Sequence, residues 1–257
     1  MGSLNARIDR TLRLYRVATV SSATRIMAGR LANKFGCGTR SLKRVALRYT
    51  HNQVYMRAGS SSDYEVFWQT FVDEELKPLR AISDPVVIVD CGANIGYAST
   101  YLLEAFPTAR VIAIEPEPEN AEVCQLNLEP YRNRSTLLRA AVWERTTQLS
   151  LSRGNYGDGR EWATQVRSPE PGELPSVQAI DLLTLMSEQA INTIDLLKID
   201  IEGSELQLFA ARHATVGFAG SETSLSNCMV QPAPGYSLMP SLASDISFCD
   251  QANFTSA

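Results

Sequence analysis

The residues best suited to chemistry in this chain begin with an acidic residue and a glycine-rich turn. Asp90 ends a short apolar run at 86–89, and Gly92 and Gly96 follow before a helical pattern begins. Glycine lets a ligand approach the backbone where a side chain would block it, and open α/β sheets bind ligands at the carboxyl ends of their strands. Tight packing of a helix against a strand would also favour glycine. Ligand binding and packing are therefore alternative explanations of these glycines.

The spacing of the glycines separates this turn from two common phosphate-binding turns. It is Gly-x-x-x-Gly, not the Gly-x-Gly-x-x-Gly of dinucleotide sites, and no Gly-Lys-Ser/Thr of a phosphate loop follows. The chain also offers no persuasive Tyr/Lys or His/Asp set for hydride transfer. An NAD-dependent oxidoreductase is therefore a less favoured alternative.

Glu115 is the second acidic residue of interest. It stands 25 residues after Asp90, directly after the apolar run 111–114. An acid at this point commonly accepts the ribose hydroxyls of an adenosine-containing ligand, because a carboxylate accepts two hydrogen bonds at once. A glutamate before a proline is more often a solvated loop residue, but its distance from the glycine turn favours ligand binding.

A later apolar strand, 194–201, carries a third acidic group. Asp200 and Glu202 fall at its carboxyl end, where they could orient a substrate hydroxyl, accept its proton or contact a cationic group. Glu202 and Glu205 would equally favour the start of the next helix through its dipole. We favour a functional role for Asp200, leave both roles open for Glu202, and expect Glu205 to start the helix. Lys198 is expected to be only a strand-edge ion-pair partner.

A parallel sheet would bring these residues to one edge, and the chain predicts such a sheet. Short apolar runs alternate with helical spacing; the runs are 86–89, 111–114, 137–142 and 194–201, and the helical segments are about 95–106 and 118–128. This alternation is typical of an α/β fold with a doubly wound, mostly parallel sheet.

Charge is distributed unevenly along the chain. Of its 257 residues, 44% are hydrophobic, and the formal net charge is −4. Residues 1–57 carry twelve Arg or Lys and one acid, a charge of +11, whereas residues 58–257 carry twelve Arg or Lys and twenty-seven acids, a charge of −15. An acidic body with a basic leader is not a uniformly basic nucleic-acid binder, so no nucleic-acid partner is expected.

The cysteine and hydropathy patterns bear on metal sites and location. Five scattered cysteines without a CxxC pair, and two histidines, argue against a zinc site or a disulfide framework and favour a reducing compartment. No apolar run of about 18 residues predicts a transmembrane helix. We expect a cytoplasmic location, with an organelle as the alternative if the basic N-terminus is a targeting sequence.

Three segments differ in character. Residues 1–44 form a basic arm with apolar residues at helical spacing, which indicates a helical arm packed on the body, a targeting presequence or a membrane-surface helix. Residues 45–213 carry the strand–helix pattern. Residues 214–257 lack Lys and Arg, are rich in Ser, Ala and Pro, and are predicted to be a poorly ordered tail without finishing strands.

Four ordered motifs resemble the FkbM-type methyltransferases of the class I S-adenosylmethionine-dependent superfamily. They are Met56-Arg57-Ala58-Gly59 with Ser62-Asp63 and Val66-Phe67; Asp90-Cys91-Gly92-Ala93-Asn94-Ile95-Gly96; Ile114-Glu115-Pro116 with Asn120; and residues 196–205. With 177–183 they span roughly residues 45–212. The resemblance fades after Arg212, where a complete fold of this class would add three more strands, so the C-terminal end is expected to be truncated or replaced.

The resemblance implies S-adenosylmethionine as cofactor. The cofactor-binding residues that it implies are Asp90 toward the methionine end, Gly92, Ala93, Asn94 and Gly96 in the turn, Glu115 at the ribose and Ala141 near the adenine. Asp200 and Glu202 are the candidate catalytic residues, and no metal is required. Arg57, Ser62 and Asp63 would close the pocket or, alternatively, cap the helix that begins near Asp63.

The reaction implied is an in-line displacement at the sulfonium methyl, in which alignment of the reactants lowers the barrier. The expected acceptor is a hydroxyl of a small molecule or glycan. The atypical C-terminus keeps another interpretation open, a catalytically impaired protein that uses the cofactor fold for binding or interaction. The sequence does not indicate an oligomeric state.

Overall fold

The structure is a computed structural model of the 257-residue chain. It describes residues 2–35, 41–48, 50, 52–59, 61–152, 165–201, 224–225 and 228–230, without the side chains of 2–7 and 224–230. The first half of these residues contains α1 (Gly2–Val17), α2 (Val20–Lys34), β1 (Ser41–Ala46), β2 (Gln53–Ala58), α3 (Asp63–Phe67), β3 (Val87–Cys91), α4 (Tyr97–Ala105), β4 (Arg110–Ile114) and α5 (Pro118–Leu128). The second half contains β5 (Ser135–Leu138), β6 (Ala141–Val142), β7 (Thr147–Ser152), β8 (Gln165–Arg167), β9 (Val177–Ile180), α6 (Leu182–Glu188), β10 (Thr193–Ile194), β11 (Leu196–Ile199), β12 (Ser224–Leu225) and β13 (Cys228–Val230). A π-helical turn (Trp68–Val72) and two 3₁₀ turns (Lys77–Ala81 and Glu129–Tyr131) complete the description.

The central sheet has five parallel strands in the order β13-β11-β3-β4-β5. The chain leaves β3 toward β4 on one side and later returns to β11 on the other, so the strand order reverses at β3. Ligands of open α/β sheets bind at such a reversal, outside the carboxyl ends of the strands. The predicted doubly wound, mostly parallel fold is confirmed.

The central strands are apolar throughout because both of their faces are covered. Ile88 and Val111 belong to a core that includes residues of α4 and α5. Val89 and Ile112, the next residues along the same strands, belong to a second core that includes residues of α6. Alternate residues of a strand point to opposite faces, so strands buried on both sides read as continuous apolar runs.

A second sheet, β6-β9-β7-β8, was not predicted. Strand β6 pairs parallel with β9, and β7 pairs antiparallel with both β9 and β8. The predicted strand 137–142 is in fact two strands, because β5 ends at Leu138 and β6 joins this second sheet. Similarly, the predicted strand 194–201 divides into β10 and β11. Runs of two to four residues are too short for periodicity to show where one strand ends.

The N-terminal helices pack against the hairpin of β1 and β2. The amide of Thr19 donates to the carbonyl of Ala46 at 3.0 Å, and the amide of Arg48 donates to the carbonyl of Val17 at 2.8 Å. Leu14 and Ile26 are buried in the same core as residues of β3 and α4. Residues 8–35 therefore share a core with the rest of the described chain, and β1 crosses the predicted arm boundary at residue 44.

The prediction of no strand within 214–257 is wrong for two short segments. Strand β12 pairs with β10, and β13 pairs with β11 through Cys228 opposite Leu197 and Val230 opposite Ile199. A three-residue apolar run cannot be told from a loop by its pattern. The helix predicted near 206–210 and the remainder of the tail lie outside the described residues. No helix in the described ranges is long and apolar enough to cross a membrane.

We expect Leu14→Ala to lower the free energy of unfolding by about 2–5 kcal/mol, because it leaves a cavity in the shared core. Leu12, two residues away on the same helix, is 53% exposed. Leu12→Ala should therefore cost less than about 0.5 kcal/mol. Urea unfolding of both variants measures the difference. Equal effects would mean that α1 does not share the core of the body.

Candidate functional site

The glycine turn after β3 is shaped by contacts within the protein. Gly92 and Gly96 have φ of +77° and +82°, in the left-handed region that favours glycine. A Cβ on Gly92 would lie 1.8 Å from the carbonyl oxygen of Asp200, and one on Gly96 would lie 2.8 Å from Sγ of Cys124. The packing alternative thus accounts for both glycines without a ligand. Only the neighbouring side chains can therefore indicate a ligand.

Asp90 is fully buried and held by two donors. Its Oδ2 accepts a hydrogen bond from Oγ of Ser99 at 2.6 Å, and its Oδ1 accepts one from Nζ of Lys198 at 2.9 Å. Ser99 lies on α4 and Lys198 on β11. The Asp90 carboxylate therefore links α4 to β11, the strand that pairs with β3. Both of its oxygens are engaged by the protein.

Lys198 lies at the centre of the acidic residues. It is 3% exposed, and its Nζ lies 3.6 Å from Oδ2 of Asp200 as well as 2.9 Å from Oδ1 of Asp90. Burial acts to lower its pKa, but the charges of Asp90 and Asp200 outweigh burial and raise the pKa above its usual value. The prediction that Lys198 forms an ion pair is confirmed. Its predicted position at an edge is wrong, because β11 is an interior strand of the sheet.

Asp200 follows β11 directly. Its amide donates to the carbonyl of Cys91 at 3.0 Å, which continues the pairing of β11 with β3 by one residue. The Asp200 side chain remains 35% exposed. Partial burial and the charge of Asp90 raise the pKa of Asp200, while Lys198 opposes them. The result is a carboxylate beside the glycine turn that is more basic than an ordinary aspartate.

Glu115 closes over the glycine turn from the end of β4. Its Oε2 accepts the amide of Asn94 at 2.8 Å, and its Oε1 accepts the amide of Glu117 at 2.9 Å and Nδ2 of Asn120 at 3.4 Å. The residue is 5% exposed. Burial raises the pKa of Glu115 to about 7, against the lowering effect of these donors. Its charge therefore changes near neutral pH.

A chain of hydrogen bonds reaches Glu115 from the start of α3. Asp63 accepts from the backbone amide of Arg57 at 2.7 Å and from its Nη2 at 2.8 Å. The same Nη2 donates to Oδ1 of Asn120 at 2.7 Å, and Asn120 contacts Glu115. Ser62 makes no side-chain bond at the helix start. The predicted capping by Ser62 is therefore not observed, and Asp63 instead holds Arg57 in contact with Asn120; closure of the pocket by these residues stays a prediction.

The hairpin of β1 and β2 is also fixed beside the turn. Nδ2 of Asn127 donates to the carbonyl of Ile95 at 2.7 Å, while its Oδ1 accepts the amide of Tyr55 at 2.6 Å. The hydroxyl of Tyr97 donates to the carbonyl of Tyr55 at 2.9 Å. Position 127 carried no sequence signal, because a single asparagine in a helical pattern does not indicate a buried bridge between distant segments.

The remaining predicted residues lie in different places. Ala93 is buried in the glycine turn, and Ala141 is buried in the second sheet against Trp143 and Leu149, so its place beside an adenine stays a prediction. The candidate catalytic residue Glu202, with Glu205, lies outside the described residues. Within the described ranges, no group of three or more His, Cys, Asp or Glu could hold a metal ion.

A groove of about 720 Å³ borders the end of β5 and was not predicted from the sequence. Its walls include Leu138, Arg139 and Ala140 on one side and Gln148 and Gln178 of the second sheet on the other. The carbonyl of Leu138 accepts the amide of Glu115 at 3.0 Å, so the groove begins next to the Glu115 backbone. Its volume is within the range of small-molecule sites.

Asn94 carries one of the buried side-chain atoms that lack a hydrogen-bond partner in the described residues, namely its Oδ1. Asn94 sits in the glycine turn at φ +51° and donates its amide to Glu115. Other buried side-chain atoms of the described residues, such as Oγ of Ser62, also lack a partner, so the Asn94 oxygen supports a ligand only together with its place in the turn beside Glu115. The pair of Asn94 and Glu115 therefore suits a ligand that brings hydroxyl donors.

The sequence of the chain is similar to those of known methyltransferases. The family profile described as Methyltransferase FkbM domain matches residues 90–231, more than half of the chain. The protein named 2-O-methyltransferase NoeI of Sinorhizobium fredii is 28% identical over an alignment 159 residues long, which covers 56% of this chain and 64% of that protein. The match thus spans slightly less than two thirds of that relative's length.

Solved structures of methyltransferases also align with the chain. A methyltransferase from Geobacter sulfurreducens aligns with a TM-score of 0.32 and 17% identity over 61% of this chain and 58% of that one. The SAM-dependent methyltransferase from Agrobacterium tumefaciens aligns with a TM-score of 0.32 and 13% identity over 62% and 39%. Neither score reaches 0.5, so the fold rests on the strand order described above. From its motifs, its sheet and the family match, the chain belongs to the FkbM methyltransferase family.

Proposed function

We propose that this chain is an S-adenosylmethionine-dependent methyltransferase that methylates a hydroxyl group of a small molecule or glycan. The observation that carries the proposal is the joining of Asn94 and Glu115 at the carboxyl ends of β3 and β4, inside a chain of this family. The name of the Sinorhizobium relative, a 2-O-methyltransferase, supports an oxygen acceptor. Absence of nucleic-acid partners and a cytoplasmic or organellar location remain predictions from the sequence.

The residues present fit the adenosine part of this cofactor. A carboxylate offers about four acceptor positions, and three donors reach Glu115 in the structure. Oδ1 of Asn94 offers a further acceptor. Ribose hydroxyls are donors, so Glu115 and Asn94 would hold them. The groove beside Leu138 and Ala140, which begins next to the Glu115 backbone, offers a space for the base.

The chemistry that the bound cofactor supplies is a methyl group on a positively charged sulfur. We assign Asp200 to the acceptor. Its carboxylate is partly exposed at the carboxyl ends of the strands and has a raised pKa. It would orient the acceptor hydroxyl and accept its proton as the oxygen attacks. Lys198 keeps Asp200 and Asp90 in place by balancing their charges. Glu202 remains a second candidate for the same step.

The pKa of Glu115 predicts how cofactor binding depends on pH. Below about pH 7 Glu115 is protonated and one oxygen carries the proton, whereas above it the charged carboxylate accepts hydroxyls more strongly. We expect the affinity for S-adenosylhomocysteine, measured by calorimetry, to rise as pH increases through 7. Glu115→Gln should weaken binding at least about tenfold at pH 8 and remove this pH dependence.

The matched control for that experiment is Glu122→Gln, an exposed position on α5. It should bind S-adenosylhomocysteine as the unaltered chain does at every pH. If Glu115→Gln keeps the affinity and the pH profile of the unaltered chain, Glu115 does not hold the ribose. If both variants lose affinity equally, the effect comes from the net charge of the chain.

The role of Asp200 is tested by transfer of a radiolabelled methyl group to a panel of sugars and small alcohols. We expect Asp200→Asn to lower kcat by roughly 10²–10⁴-fold, the usual contribution of a general base. Its affinity for S-adenosylhomocysteine should change little. Asp84→Asn, at an exposed position, is the control. An unchanged kcat in Asp200→Asn would exclude Asp200 as the proton acceptor.

A further inference from the structure

One side of α2, with Phe35 directly after it, carries exposed apolar side chains, and Thr24 on that side meets the Tyr15 hydroxyl of α1 at 3.3 Å. Val20, Leu31 and Phe35 are 60%, 58% and 70% exposed. At about 100° per residue, these positions fall within an arc of about 60°. Exposed Thr24 and Ala28 lie on the same side. The buried positions of this helix are Ser22, Ala23 and Ile26, on its opposite side.

Exposed apolar side chains are concentrated in this part of the protein. Among the described residues, ten large hydrophobic side chains are exposed, and six of them lie between residues 8 and 42: Ile8, Leu12, Val20, Leu31, Phe35 and Leu42. The other four are scattered over residues 86–183. Single exposed apolar residues need no explanation, whereas a contiguous apolar patch marks an interaction surface, and Val20, Leu31 and Phe35 on one side of α2 are the candidate for such a patch.

Exposed basic residues lie on both helices. Arg25 and Lys34 lie on α2 on either side of the apolar arc, and Arg16 is exposed on α1 beside Leu12. The only acid in residues 1–57 is Asp9, which pairs with Arg13 at 3.2 Å. A helix with an apolar face and flanking Arg and Lys suits the boundary between the headgroups and acyl chains of an anionic membrane.

We propose that α1 and α2 form a docking surface for an anionic lipid bilayer. The apolar face of α2 would enter the headgroup boundary, and Arg16, Arg25 and Lys34 would contact the anionic headgroups. Residues 58–257 carry a charge of −15, so an anionic membrane repels the body and turns the arm toward the surface.

A second copy of the chain suits this face less well than a membrane does. In a symmetric dimer each patch contacts the same patch of its partner. Two arms, residues 1–44, with a charge of +9 each would then meet, and like charges brought together oppose association. Anionic lipids supply the opposite charge and an apolar layer in one partner.

The test uses the full chain and vesicles of phosphatidylcholine, with or without about 30% phosphatidylserine. Sedimentation should show binding to the anionic vesicles at least about tenfold stronger than to the neutral ones, and weaker at high salt. The apolar variant V20S/L31S/F35S and the charge variant R16Q/R25Q/K34Q should each lose at least about tenfold in partitioning. The matched controls L174S/L183S and R132Q/R145Q alter exposed residues elsewhere and should bind unchanged.

Thermal unfolding checks that each variant is folded, and the single changes L31S and F35S give the same readout if a triple variant is unstable. Equal binding to both vesicle types would overturn the proposal, as would anionic binding that the apolar variants do not reduce. Absence of vesicle binding would also overturn it. A concentration-dependent dimer that the apolar variant dissociates would then assign the face to a second copy of the chain.

Discussion

Lys198 carries its charge into the middle of a parallel sheet, where water cannot solvate it, and the candidate site is arranged around that constraint. Burying an ion costs several kcal/mol unless a partner of opposite charge lies in good geometry. Asp90 supplies that partner across the β3–β11 pairing, and Asp200 supplies a second carboxylate one residue beyond β11. Loss of one member of such a pair typically costs about 3–5 kcal/mol. The acids at the carboxyl ends of β3 and β11 therefore stabilise the fold as well as forming a candidate site.

Glu115 is also a buried carboxylate, but its close partners are neutral donors. They are two backbone amides and the Asn120 side chain. Neutral donors offset burial only in part, which is why its pKa rises to about 7. The buried pair of Arg57 and Asp63 acts through Asn120, so the charged hairpin region supports Glu115 from outside the sheet. This arrangement gives the residues before β3 a physical connection to the candidate site.

The sequence was sufficient for the central sheet because Ile88, Val111 and their neighbours are buried on both faces and form continuous apolar runs. It placed Asp90, Glu115 and Asp200 at the carboxyl ends of those strands for the same reason. It missed the second sheet, β13 and the interior position of Lys198, which depend on pairing between distant short segments. The sequence left ligand binding and packing open as explanations of the glycines. The contacts of Gly92 and Gly96 show that packing is sufficient.

The most direct test of the account is an experimental structure of the chain with S-adenosylhomocysteine. The account predicts the ribose hydroxyls within hydrogen-bonding distance of the Glu115 carboxylate and of Oδ1 of Asn94, with Asp90 still paired to Lys198. A complex with the ribose elsewhere, or a folded chain that takes up no S-adenosylhomocysteine, would contradict it.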